Sequence, residues 1–271
     1  GVAVAPAVTQ VVAPNTPEEL VVLENTNARY TFTSHGGGLK LIELVHYPES
    51  ISAIRKKAPE TNRVATLNTS APVPTLAMVG GEVIEGDGIY ELAPITNGIR
   101  AEKSLTNGLH IVKEFQLGTN YLVTASVRLE NRGPQPLVLP EQQWVVGTAT
   151  PLGPRDKGEA VGMLWFRGAK TEDIGEPWFA NRWLGCIPGT PRTEYRAGTS
   201  NVVWAAVHNQ FFALAMMAPE PAPQVVAQKV TLPRSSDAFT NGVSPVGIQT
   251  ALVYPGANLP ANQVVQRTFN I

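Results

Sequence analysis

The chain has 271 residues and a formal net charge of −1, with no basic block longer than Arg55-Lys56-Lys57, which excludes the electrostatic footprint of a nucleic-acid binder. Hydrophobic residues make up 43% and charged residues only 16%, against about 25% charged in average soluble proteins, so a large core can be buried. A single cysteine, Cys186, excludes an intramolecular disulfide, a four-cysteine zinc site and a Cys-x-x-Cys redox pair.

Residues 1–17 are rich in Val, Ala and Pro, with Pro6, Pro14 and Pro17, and read as a flexible linker. Gly1 in place of a methionine predicts a piece of a longer protein, and no run in it approaches the ~18 apolar residues of a spanning helix. A strand is predicted over 21–24, followed by a hairpin. Tyr30, Phe32 and Ser34 alternate with Arg29, Thr31 and Thr33, then Gly36-Gly37-Gly38 supplies residues that tolerate positive φ, and Leu39, Ile42 and Leu44 resume an apolar pattern up to Tyr47. Ile51 and Ile54 lie at helical spacing, so 49–59 reads as one short helix or an irregular excursion.

Further strands are predicted over 89–92, 99–105 and 109–117, the last two joined by the turn Thr106-Asn107-Gly108. Strands over 121–130 and 136–146 read as another hairpin, with Asn131-Arg132-Gly133-Pro134 at its tip. Residues 148–196 are broken by Gly and Pro and read as loop apart from a strand over 163–167; so long an irregular stretch is often functional. Strands return over 201–207, 211–218, 225–232, 246–254 and 263–270. Many short strands, 24 glycines and 23 prolines, and no βαβ alternation predict an all-β fold, two packed antiparallel sheets with at most one or two short helices, as a single domain over 18–271.

Candidate chemistry is sparse. His35, His46, His110 and His208 are scattered, and none stands in a metal-ligand pattern. The loop Ser34 to Gly38 is followed by a strand, not by the helix N-terminus that a phosphate cradle needs. Thr199-Ser200 and Ser235-Ser236 lack the Gly-x-Ser-x-Gly elbow of a serine hydrolase. No cofactor is implied. Residues 176–184 gather Trp178, Phe179, Arg182 and Trp183, the composition of a partner- or ligand-binding loop; the same residues would also plug the end of a sandwich, and the plug is the better-supported of the two.

Two segments carry a family resemblance. The hairpin over 22–47, with Gly36, Gly37 and Tyr47, and the stretch 201–219, with Trp204, His208, Gln210, Phe211, Phe212 and Pro219, resemble the periplasmic domain of the YidC membrane-protein insertases. The resemblance spans 24–270 and is weak over 153–196. It implies a β-super-sandwich related to galactose mutarotase-like folds, in which the hydrophobic members of the 201–219 hairpin fill the core. It also implies a non-catalytic domain in the periplasm, tethered to the inner membrane by helices outside this chain. Its partners would be SecDF-type subunits of the Sec translocon and nascent membrane proteins. No catalytic residue carries over.

A carbohydrate-binding or mutarotase-like (aldose epimerase) domain is the alternative, and a freestanding periplasmic chaperone a further one. Mutarotase chemistry needs a carboxylate base and a histidine acid flanking the sugar. The family's base is a glutamate near the C-terminus, whereas here no glutamate follows Glu220 and the only later carboxylate side chain is Asp237. The Asn-His-x-x-Phe-Asn motif of that family is absent as well, 207–212 reading Val-His-Asn-Gln-Phe-Phe.

Overall fold

Apolar side chains recur at every second position along most of this chain, and the computed structural model, which describes residues 11–13, 15–49, 63–151, 160–181, 189–233 and 246–271, is built almost wholly of strands. β1 (Leu20–Glu24), β2 (Ala28–Thr33), β3 (Gly38–Pro48) and β4 (Val64–Leu67) form a four-stranded sheet in that order. There follow β5 (Met78–Val79), helix α1 (Glu82–Glu85), β6 (Glu91–Ile95), β7 (Gly98–Ser104), β8 (Leu109–Leu117), β9 (Val123–Asn131), β10 (Leu137–Leu139) and β11 (Gln142–Ala149). The next elements are β12 (Gly162–Phe166), β13 (Thr171–Gly175), helix α2 (Glu176–Ala180), β14 (Glu194–Ala197), β15 (Val202–His208) and β16 (Ala213–Ala222). β17 (Gln224–Thr231), β18 (Val246–Tyr254), β19 (Ala257–Leu259) and β20 (Val264–Asn270) complete the described elements.

A nine-stranded sheet runs β13-β12-β15-β16-β20-β9-β8-β7-β6, and a five-stranded sheet runs β14-β17-β18-β11-β5; β10 pairs with β19. Every ladder between these strands is antiparallel, so the expected all-β sandwich is the fold observed, with two short helices among the described residues. β9 shows the underlying logic: its residues alternate buried and half-buried along Val-Thr-Ala-Ser-Val-Arg-Leu-Glu-Asn, one face turned to the core. β18 is buried on both faces apart from its first residue, because Val73 and Ala77 cover the side of the five-stranded sheet turned away from the main core, against Val145, Val226, Ala251 and Val253. Ring pairs bind the sheets together: Trp144 of β11 lies 5.4 Å from Phe269 of β20, and Phe32 of β2 lies 5.0 Å from Phe115 of β8.

The first hairpin forms as its glycines predict. Gly36 and Gly37 take φ of +74° and +56°, and β2 and β3 pair on either side of them. The 106–108 turn likewise joins β7 to β8, with Ser104 opposite His110.

Several expectations fail for physical reasons. The hairpin expected from 121–130 and 136–146 does not form: β9 pairs with β8 and β20, while β11 lies in the other sheet between β18 and β5. Pro140, which has no ladder N–H to give, separates β10 from β11, and the chain crosses between sheets there. The expected loop over 148–196 holds β13, α2 and β14 besides β12. The strand expected over 211–218 begins at Ala213, because the side chain of Asn209 accepts hydrogen bonds from the backbone N–H groups of Phe211 and Phe212, both 3.0 Å, and closes a turn there. The helix considered over 49–59 and most of the 1–17 linker lie outside the described residues. No helix among the described residues is long and apolar enough to cross a membrane.

Candidate functional site

The strand ends beside α2 converge on an open cavity of about 560 Å³ lined by Ala160, Val161, Asp173, Gly175, Pro177, Trp178, His208, Asn209 and Gln210. His208 closes β15 and Asp173 lies on β13; β12 runs between them. Gly162 is in register with His208, and Leu164 with Asp173, so the two-residue period of the strand puts both side chains on one face of the sheet. His208 Nε2 stands 3.4 Å from Asp173 Oδ1, and Nδ1 stands 3.2 Å from the carbonyl of Asn209. Asp173 is well exposed while His208 is mostly covered, so the carboxylate faces the cavity with the imidazole behind it.

Gly162 makes that placement possible. A Cβ at 162 would fall 2.6 Å from His208 Nε2. Gly162→Ala is therefore expected to push the imidazole away from Asp173 at little cost in stability, within about 1 kcal/mol, since the imidazole tip can swing aside, the Ile174 carbonyl oxygen at 3.2 Å need give only slightly, and loss of a strand glycine offsets part of that cost. The check is a histidine-ring NMR signal that shifts on Asp173→Asn in the wild type; in the G162A background that response should vanish. An undiminished response would show that the pair survives.

Helix α2 presents the aromatic wall. It begins with a proline in its first turn and ends on Asn181 at φ +50°, a left-handed cap. Lys229 Nζ of β17 reaches Glu176 Oε1 at 3.1 Å, and the Arg192 backbone N–H donates to the Phe179 carbonyl at 2.8 Å, which clamps both ends of the helix. Phe179 is buried. Trp178 is half-buried: its ring meets Phe179 and Tyr195 edge-on at 5.1 Å each, and the Arg192 guanidinium lies over it at 4.5 Å. Tyr195 is held in turn by the Trp165 indole N–H, which donates to its hydroxyl at 2.9 Å.

The binding-loop residues thus divide. Trp178 lines the cavity, Phe179 anchors the helix in the core, and Arg182 and Trp183 lie outside the described residues. The 209–212 turn carries Gln210 to the cavity rim, exposed. Phe211 is 63% exposed, Phe212 packs against the core and meets Tyr47 at 5.4 Å, and Trp204 stands outside the core cluster beside Phe166. The expectation that this hairpin's side chains fill the core therefore fails for Trp204, Phe211 and Met217, the last 43% exposed. Gly36 and Gly37 shape the first turn and line none of this cavity. The pairing of His208 with Asp173 is what the sequence concealed: 35 positions separate them, and only the register through β12 joins them. A glycine at the start of a strand, Gly162, is the one local sign of a close approach. No cluster of three metal-ligating side chains occurs among the described residues.

No protein-family model matches the chain, and no curated protein sequence matches it. Solved structures do resemble it. A galactose mutarotase related enzyme from Lactobacillus acidophilus superposes with a TM-score of 0.55 at 10% identity, over 93% of this chain and 96% of that one. A galactose mutarotase-like protein from Lactobacillus casei gives 0.53 at 9% identity, over 93% and 98%. A candidate aldose 1-epimerase from Escherichia coli gives 0.53 at 10% identity, over 94% and 98%.

At such identities the likeness establishes the fold, a galactose mutarotase-like sandwich. It overturns the expected identity as a YidC-type insertase domain, since the structures that superpose on the chain are mutarotase-like proteins. The reason lies in the residues that carried the resemblance. The strand, glycine turn and strand of 22–47 meet a backbone need of the sandwich, and the 201–219 hairpin is likewise an element of its large sheet. Both report fold and not insertion chemistry.

Proposed function

We propose that this chain binds carbohydrate at the cavity between β13, β15 and α2. The observation that carries the reading is the Asp173–His208 pair sharing one open cavity with the Gln210 amide and the Trp178 ring. A pyranose presents rows of hydroxyls around its edge and C–H groups on its faces. A carboxylate accepts hydrogen bonds from two hydroxyls, an amide both donates and accepts, and an indole offers apolar surface to the ring face. The mutarotase-like fold supports the reading by analogy alone.

A few hydrogen bonds of about 1 kcal/mol net each place a monosaccharide near millimolar affinity. Titration of glucose and galactose, followed by tryptophan fluorescence and calorimetry, is expected to saturate in that range, and His208→Ala to weaken binding about tenfold. No saturation with either sugar would overturn the proposal.

The presence of an imidazole and a carboxylate in one cavity favours a second reading, aldose 1-epimerisation. That reaction removes the anomeric hydroxyl proton with a base while an acid protonates the ring oxygen, so the C–O bond of the ring opens and recloses on either face. The two groups must bracket the sugar, whereas His208 and Asp173 face each other at 3.4 Å. Binding is therefore the better-supported reading. Polarimetry of fresh α-glucose and α-galactose separates the two: acceleration lost in His208→Ala would establish epimerisation.

A further inference from the structure

The outer face of the nine-stranded sheet continues from the cavity along β12, β15 and β16. Leu164 and Phe166 follow Gly162 on that face, Ala206 and Trp204 lie in register with them on β15, and Ala215 and Met217 follow on β16. Met163, Trp165, Ala205 and Val207 turn to the core, as strand alternation requires. Trp204 and Phe166 are half-buried, stand outside the core cluster, and lie near-parallel with centroids 5.9 Å apart and planes 22° apart. Ala206, small and sunk, floors the strip between them and His208. Four residues of strand separate Trp204 from His208, a span of ~13 Å, which is longer than one pyranose ring.

Resting on the carbohydrate reading of the cavity, we infer that the site takes a chain of linked sugars, with the Trp204–Phe166 pair as a second, stacking subsite. A polar cavity at one end, a small-residue floor and an aromatic platform at the other suit an occupant that is polar at its edges and apolar on its faces all along its length. A protein partner would not need the carboxylate–imidazole–amide end, and a single sugar could not reach the platform.

The test compares glucose and galactose with linear α- and β-linked tetrasaccharides of each, by calorimetry on the full chain. At least one tetrasaccharide is expected to bind about tenfold more tightly than its monomer, the weight of one added stacked ring. Trp204→Ala should remove that gain and leave the monomer affinity unchanged; Phe166→Ala should do the same where the first variant loses its fold by circular dichroism. Monomer binding with no gain for any tetrasaccharide, or a gain that survives both substitutions, overturns the extended site and leaves the cavity reading standing. Absence of binding to monomer and tetrasaccharide alike overturns both. Self-association that Trp204→Ala abolishes, with no length dependence, would assign the platform to a second copy of this chain instead.

Discussion

Gly37→Ala should lower the stability of this protein by about 2–5 kcal/mol, a large part of the 5–15 kcal/mol that holds a typical domain folded. Two effects add. Gly37 has φ +56°, where an L side chain costs about 1–2 kcal/mol. A Cβ built there would also fall 2.4, 2.7 and 2.8 Å from three ring atoms of Tyr90, which is itself buried and has no room to retreat, so overpacking adds about 1–3 kcal/mol. The control is the same substitution in a Tyr90→Ala background, where the ring atoms that the new Cβ would meet are gone and the backbone cost at φ +56° is unchanged. Urea unfolding of Gly37→Ala in the two backgrounds isolates the contact with Tyr90 as the difference. Equal losses would show that the turn's backbone alone, and not its approach to Tyr90, requires glycine.

That turn also marks where the sequence was legible. Gly36-Gly37-Gly38 between two alternating runs, and Thr106-Asn107-Gly108 between two more, reveal their hairpins because turn chemistry and strand period are local. Pro140 misleads a reader who follows hydrophobicity alone, since Leu137-Val138-Leu139 and Trp144-Val145-Val146 suggest one strand while the proline between them divides 136–146 between two sheets. The candidate site was the least legible part. Trp178 stands out by composition, but Asp173 and His208 meet only because β12 aligns Gly162 with one and Leu164 with the other. Long-range register leaves no trace in the spacing of the residues it joins. For the same reason Trp204 and Phe211 look like core residues in a list of apolar side chains, and only the pleat and the Asn209 turn turn them outward.

Lys113→Met should flatten the rise of stability with pH expected of the wild type on the alkaline side of neutrality. Lys113 lies on β8 among core residues, fully buried, and its Nζ donates to the carbonyls of Gly36 and Leu76 at 2.7 and 2.8 Å. The nitrogen also sits 4.5 Å from the centre of the Tyr90 ring, which Lys103 shares at 5.0 Å. Burial holds the Lys113 amine well below the usual lysine range, and the neighbouring Lys103 adds to the effect. An unfolded chain keeps this group protonated up to about pH 10.4, so between the folded and unfolded values the unfolded state binds the extra proton. Folding therefore releases a proton throughout that window, and stability climbs with pH by up to about 1.4 kcal/mol per pH unit. Lys103, lowered by burial although Asp87 stands 3.3 Å away, acts in the same direction and remains in the variant. The difference between wild type and variant therefore reports Lys113. Tyr90, whose hydroxyl burial pushes upward, sets the top of the window, because above about pH 10 the unfolded chain loses a phenolic proton that the native state retains. Urea midpoints measured from about pH 7 to about pH 9.5 should diverge in favour of the wild type as pH rises. Parallel curves would mean that Lys113 is charged in the native state, and that the two carbonyls and the Tyr90 face offset the whole cost of burying an ammonium group.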